Sequence, residues 1–120
     1  MTIAALVVGL LACVFIVLIG VRFVLAPRPA LAGYGVAEDR IRAMTAAKGV
    51  RDIASGVIVL VALLAVGQQA MGWALTAAAL IPVGDAVIVV TNGGTVRQAL
   101  TVHVATAVLL VAAGLVLALG

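Results

Sequence analysis

IAALVVGLLACVFIVLIGVRFVL, residues 3–25, is an apolar run whose one charge, Arg22, falls near its end. About 20 mostly apolar residues make a helix long enough to cross the hydrocarbon core of a bilayer. This run therefore predicts a transmembrane span, which Pro27 and Pro29 bring to a stop. Three further runs repeat the pattern: 50–67, opened by Arg51 and Asp52; 71–90, containing Asp85; and 99–119, containing His103. Gln68, Gln69 and Ala70 read as a very short turn that makes the second and third spans an antiparallel hairpin. Thr91-Asn92-Gly93-Gly94-Thr95 reads as a turn-rich link to the fourth. The expected fold is all-α: one domain over residues 1–120, a bundle of four transmembrane helices, with a cytoplasmic loop over 26–49 and no room for a soluble domain.

Composition points the same way. Hydrophobic residues make up 67% of the chain and charged residues 9%, against roughly 45–50% and 25% in soluble domains. A soluble domain this small buries only about 60–70% of its unfolded surface, too little to hide so many apolar side chains. The net charge of +3 is not a nucleic-acid footprint, because the bases lie beside apolar spans instead of on one dense polar face. The single cysteine, Cys13, sits mid-span with no metal-ligand spacing around it and reads as filler. Ala30-Leu31-Ala32 has the look of a signal-peptidase site, yet residues 1–3 carry no Lys or Arg and the apolar run exceeds the usual core of about 7–15 residues. The first run is read as a retained helix.

The bases also orient the bundle. Arg28, Arg40, Arg42, Lys48 and Arg51 fall in or beside the first loop, Arg22 borders it, and Arg97 lies in the third. The positive-inside rule then places loops one and three in the cytoplasm and both termini on the non-cytoplasmic side. The expected location is a bacterial cytoplasmic membrane, with membrane lipid as surroundings. Residues 36–47 are rich in helix formers. They read as a helical segment lying near the cytoplasmic surface, the alternative being an extension of the second span.

The ionisable residues share one depth. At about 1.5 Å of rise per residue, Asp85 lies roughly 9 Å from the inner end of its span. His103 lies about four residues, or ~6 Å, into the fourth span, and Arg51 and Asp52 open the second. All are in the cytoplasmic half. Lys48, Arg51, Asp52 and Ser55 follow helical spacing on one face, as do Asp85 with Asn92 and His103 with Thr106. Pro82, three residues before Asp85, removes a backbone donor and predicts a kink beside the carboxylate. A charge among acyl chains costs several kcal/mol, so these stripes are expected to face inward, and intramembrane carboxylates mark functional sites. The expected catalytic group is Asp52, Asp85, Arg51 and His103, with Arg22, Tyr34, Lys48, Ser55 and Asn92 binding the ligand, and no metal or other cofactor.

Lys48-Gly49-Val50-Arg51-Asp52, Gly84-Asp85-Ala86 and an early His103 resemble the pattern of an uncharacterised family of small bacterial and fungal four-helix membrane proteins, a domain of unknown function. The likeness runs over nearly the whole chain. It implies a four-helix bundle and the same four residues to watch, and it supplies no activity. Small multidrug transporters have similar length and helix number, but they place an acidic residue mid-way along the first helix, where this chain has only apolar residues and Cys13.

Two carboxylates, a guanidinium and an imidazole suffice for cofactor-free acid–base chemistry on a lipophilic small molecule entering from the inner leaflet. Hydrolysis of an epoxide, or isomerisation or cyclisation of a terpenoid or polyketide, fits; so does simple binding. The alternatives are a structural or accessory subunit, whose ion cluster fixes helix register, and a transporter, which would need a homo-oligomer to enclose a pore.

Overall fold

The computed structural model describes residues 1–35 and 42–120, which among themselves are helical with no strand. Helix α1 (Thr2–Leu25) is the opening apolar run. It stops at Ala26, whose φ of −135° and ψ of 71° lie outside the helical region, as expected before a proline whose ring crowds the preceding backbone. Pro27 then does what the sequence reading did not foresee. It starts a second helix, α2 (Pro27–Tyr34), because a missing N–H costs nothing at the first helical position. The expected loop over 26–49 thus contains helix at both ends.

Helix α3 (Arg42–Ala65) follows. From Arg42 onward the segment expected to lie along the surface is continuous with the second span, the alternative weighed above; residues 36–41 lie outside the described residues. The chain reverses at Val66 and Gly67, not over 68–70. Gly67 takes φ +124°, which side-chain-bearing residues avoid, and donates its N–H to the Ala62 carbonyl at 3.1 Å. Gln68, Gln69 and Ala70 are therefore the first turn of α4 (Gln68–Ala78), with Gln69 Nε2 donating to the Ala118 carbonyl at 3.1 Å. A break at Ala79 separates α4 from α5 (Leu80–Thr91). Pro82 has no N–H to give the Ala78 carbonyl four residues back, and the break at Ala79 falls beside that missing bond. Thr95 then caps α6 (Val96–Leu119), its hydroxyl accepting the Gln98 N–H at 3.0 Å. Within α6, Ala99–Val104 is π-helical, closing with an Ala105 N–H bonded to the Leu100 carbonyl.

Among the described residues three segments are long and apolar enough to cross a membrane: Thr2–Leu25, Gln68–Thr91 and Val96–Leu119. Helix α3 is equally long, but its N-terminal half carries Lys48, Arg51 and Asp52, so composition alone does not make it a fourth.

Packing divides the bundle into two ends. α1 lies mainly on α3, and α4 on the second half of α6. Where α1 meets α3 the backbones nearly touch: a Cβ on Gly49 would sit 2.6 Å from the Gly20 carbonyl oxygen. Without a hydrophobic drive between helices in lipid, such small-residue contacts supply the packing. One core, built on Ala5, Cys13, Val59, Met71, Leu75, Ala113 and Leu117, is wholly apolar. It lies at the end where Thr2 and Gly120 are neighbours. The second core, with Phe23, Tyr34, Ala86 and Val89, lies beneath the charged residues.

Candidate functional site

The Gly20–Gly49 contact brings the polar face of α3 against α1 and α2. Lys48 and Asp52, one helical turn apart, form an ion pair through Nζ and Oδ2. Asp52 is fully buried; its other oxygen faces Arg51 Nη2 at 3.5 Å, and its backbone carbonyl accepts the Ser55 hydroxyl at 2.8 Å. Across the bundle, Asp85 on α5 is also buried. Its Oδ1 accepts Arg51 Nη2 at 3.2 Å and the Tyr34 hydroxyl at 2.9 Å, and Lys48 Nζ is 3.8 Å from its Oδ2. Two cations thus bridge two carboxylates, and a buried charge that is paired and hydrogen-bonded is one the interior tolerates.

Aromatic rings complete the surroundings. Lys48 Nζ lies 4.4 Å from the Phe23 ring centre and 4.8 Å from that of Tyr34, within reach for cation–π attraction. Tyr34 stands edge-on to Phe23 at 6.1 Å and to His103 at 4.8 Å. Burial first, and the adjacent Asp85 carboxylate second, push the Tyr34 phenol above its ordinary value of 10.0. Loss of its proton would leave two anions side by side in low dielectric.

His103 is joined to this group through Tyr34, not through a carboxylate. Its Nε2 lies 2.9 Å from the Tyr34 backbone carbonyl. A carbonyl oxygen only accepts, so Nε2 carries the proton and a neutral ring keeps Nδ1 as an acceptor. The His103 ring also borders open space. The π-helical turn contributes here. By widening the helix it keeps Ala99, His103 and Ala107, each four residues apart, on one buried stripe, and such turns recur at functional sites.

That open space is a cleft of about 780 Å³ between α1, α3, the α4–α5 arm and α6. Asp85, Lys48, Tyr34, His103, Arg22, Ser55 and Thr106 line its polar end, and most of the remaining lining is aliphatic. Part of its lining comes from the facing sides of α1 and α6. Those helices pack together along Ala105–Leu119 and scarcely touch along the π-helical turn. The gap is bordered by Phe15, Leu18, Val102 and Leu109, all exposed on the bundle's outer surface.

Of the residues expected from the sequence, Arg51, Asp52, Asp85, Lys48 and Tyr34 meet directly, and His103 joins them through Tyr34. Arg22 and Ser55 line the cleft. Asp52 and Arg51 do not: the first is fully buried and paired with Lys48, and the second has its side chain 46% exposed. Asn92 is elsewhere. It ends α5 and turns its amide back to the Ile88 carbonyl at 2.9 Å. The sequence reading missed Phe23, hidden in an apolar run, and Gln98, whose Nε2 holds α2 by the Gly33 carbonyl at 2.8 Å. Among the described residues no three His, Cys, Asp or Glu side chains gather as metal ligands.

The family model described as "Domain of unknown function (DUF4267)" matches residues 13–117. No curated protein and no solved structure matches the chain.

Proposed function

We propose, for a chain that belongs to the DUF4267 family, that it binds a lipophilic small molecule in this cleft and acts on it by cofactor-free acid–base chemistry. The observation that carries the reading is the cleft itself. It is a mostly apolar space, bordered by exposed Phe15, Leu18, Val102 and Leu109, whose lining also includes Asp85, Lys48, Tyr34 and His103. Small-molecule sites have this character, with mostly apolar walls and a few convergent polar groups, at volumes of about 300–1,000 Å³.

In this reading all four long helices cross a bacterial cytoplasmic membrane, α3 included, with both termini outside and the cleft's polar end in the cytoplasmic half. Two facts support a crossing by α3. Its Lys48 and Asp52 neutralise each other one turn apart. The bundle's long axis of 43 Å matches a bilayer with its headgroups, about 40–45 Å.

The two carboxylates then have separate work. Asp52, out of reach of the cleft, holds Lys48 and Arg51 in place. Asp85 is the base. For an epoxide it takes a proton from a water whose oxygen attacks a ring carbon; the carbon–oxygen bond breaks, and Lys48 gives a proton to the released oxygen. The proton on Asp85 returns to Lys48, 3.8 Å away. Isomerisation or cyclisation uses the same base and donor without water. His103 Nδ1 is a second acceptor on the cleft wall. Purified protein incubated with lipophilic epoxides and cyclisable polyenes should show turnover or saturable binding that Asp85→Asn abolishes while circular dichroism stays unchanged. An Asp85→Asn variant with full activity refutes this assignment.

A further inference from the structure

The cluster at the polar end of the cleft is balanced within itself, since Lys48 and Arg51 serve Asp52 and Asp85. Arg22 stands outside that balance. It lines the same cleft, yet among the described residues no carboxylate reaches it. Among the described residues its one hydrogen bond, at 3.4 Å, runs from Nη2 to the Pro29 carbonyl. Its Nη1 lies beside Gly33, where an added Cβ would be 4.0 Å away, so α2 presents only backbone to the guanidinium there. A guanidinium has five N–H donors in a planar fork, and most of these have no protein partner among the described residues. Among the described residues the polar end therefore sets three cations, Arg22, Lys48 and Arg51, against two carboxylates, beside an apolar space. Such a charge is costly among acyl chains, and an oxyanion accepting paired N–H bonds offsets it.

We infer that the ligand is a single-tailed amphiphile with a monoanionic, carboxylate-like head read by Arg22, its tail lying among Phe15, Leu18, Val102 and Leu109. The inference rests on the lipophile reading above and names the class of ligand. A space of about 780 Å³ favours one tail over the two chains of a bilayer phospholipid.

The test uses the full chain in nanodiscs of zwitterionic lipid, with empty nanodiscs subtracted. Three probes of one tail length are titrated calorimetrically: dodecanoate, well above its carboxyl pKa, dodecanol and dodecyltrimethylammonium. Dodecanoate should bind at least about tenfold more tightly than dodecanol, the low end of what a charge-assisted hydrogen bond is worth. Arg22→Gln should erase that preference without weakening dodecanol, and Arg22→Lys should keep part of it. Equal affinity for dodecanoate and dodecanol, tighter binding of the cation, or a preference that survives Arg22→Gln overturns the anionic head and leaves the lipophile site standing. Displacement of dodecanoate by phosphatidylglycerol assigns the site to a membrane lipid and overturns the single tail. Binding of none of the three probes overturns the lipophile reading, and this inference with it.

Discussion

Replacing Asp52 with Asn separates its structural work from the chemistry assigned to Asp85. Asp52 is 0% exposed and the Lys48 side chain 16%, so this is a buried pair. Removing one member of such a pair costs about 3–5 kcal/mol, because the other charge stays buried. Two features place the value near the bottom of that range. Lys48 keeps Asp85 at 3.8 Å, and Arg51, with its side chain 46% exposed, keeps its water. The expected loss is about 3 kcal/mol. Arg51→Gln removes contacts that are largely solvated and should cost about 1 kcal/mol or less. Unfolding can be followed by titrating SDS into mixed micelles and reading the labelling of Cys13, the chain's one cysteine and a buried one. The paired change Lys48→Met with Asp52→Leu should recover most of the loss, since a buried ion pair replaced by packed apolar groups is often neutral. If Asp52→Asn costs no more than Arg51→Gln, Asp52 is not the buried anchor described above.

Two further outcomes follow from the geometry. Tyr34 is the one tyrosine and its phenol is pushed above 10.0 by burial and by Asp85. The folded protein should therefore show no tyrosinate absorbance near pH 10, whereas the denatured chain should titrate there. Because the folded state holds the proton more tightly, the stability this contributes is complete below about pH 10 and falls as pH rises toward the folded value; an SDS titration series across that range, or early tyrosinate absorbance in the folded protein, would expose an error. Gly49→Ala would place its Cβ 2.6 Å from the Gly20 carbonyl oxygen and should cost about 1–3 kcal/mol as α1 and α3 part. Gly84→Ala, with nothing within 4 Å of the new atom, should stabilise by roughly 0.5–1 kcal/mol; equal effects at the two glycines would refute the close approach.

The helical frame was legible because residues 3–25, 71–90 and 99–119 are long and apolar, a signal that lipid imposes on sequence directly. The meeting of Arg51, Asp52 and Asp85 was legible too, from depth and helical spacing. What escaped detection depended on contacts between elements. Pro27 reads locally as a stop and also begins α2. The turn was expected at the polar Gln68 and Gln69, while the chain reverses at Gly67, whose need for a positive φ leaves no mark on hydropathy. Asn92 shares a helical face with Asp85 by arithmetic, but α5 ends just before it, so its amide serves as a cap. The link from His103 to the carboxylates runs through the backbone and hydroxyl of Tyr34, a route no spacing rule contains. The π-helical turn likewise has no sequence period of its own.

The chain order of the charged cluster bears on how the protein is made. Synthesis runs from the N-terminus, so Tyr34, Lys48 and Arg51 emerge before Asp85, and His103 comes last. In the proposed four-span arrangement α3 enters the bilayer with the Lys48–Asp52 pair already closed on its own surface. When α5 follows, its carboxylate arrives where a guanidinium, an ammonium and a phenol are already present to receive it. A bare acid in lipid is the costly step of inserting such a segment, and the order of translation lets the nascent chain avoid it. A permuted chain that delivered α5 before α2 and α3 would meet that barrier in full, even though its finished fold would be the same.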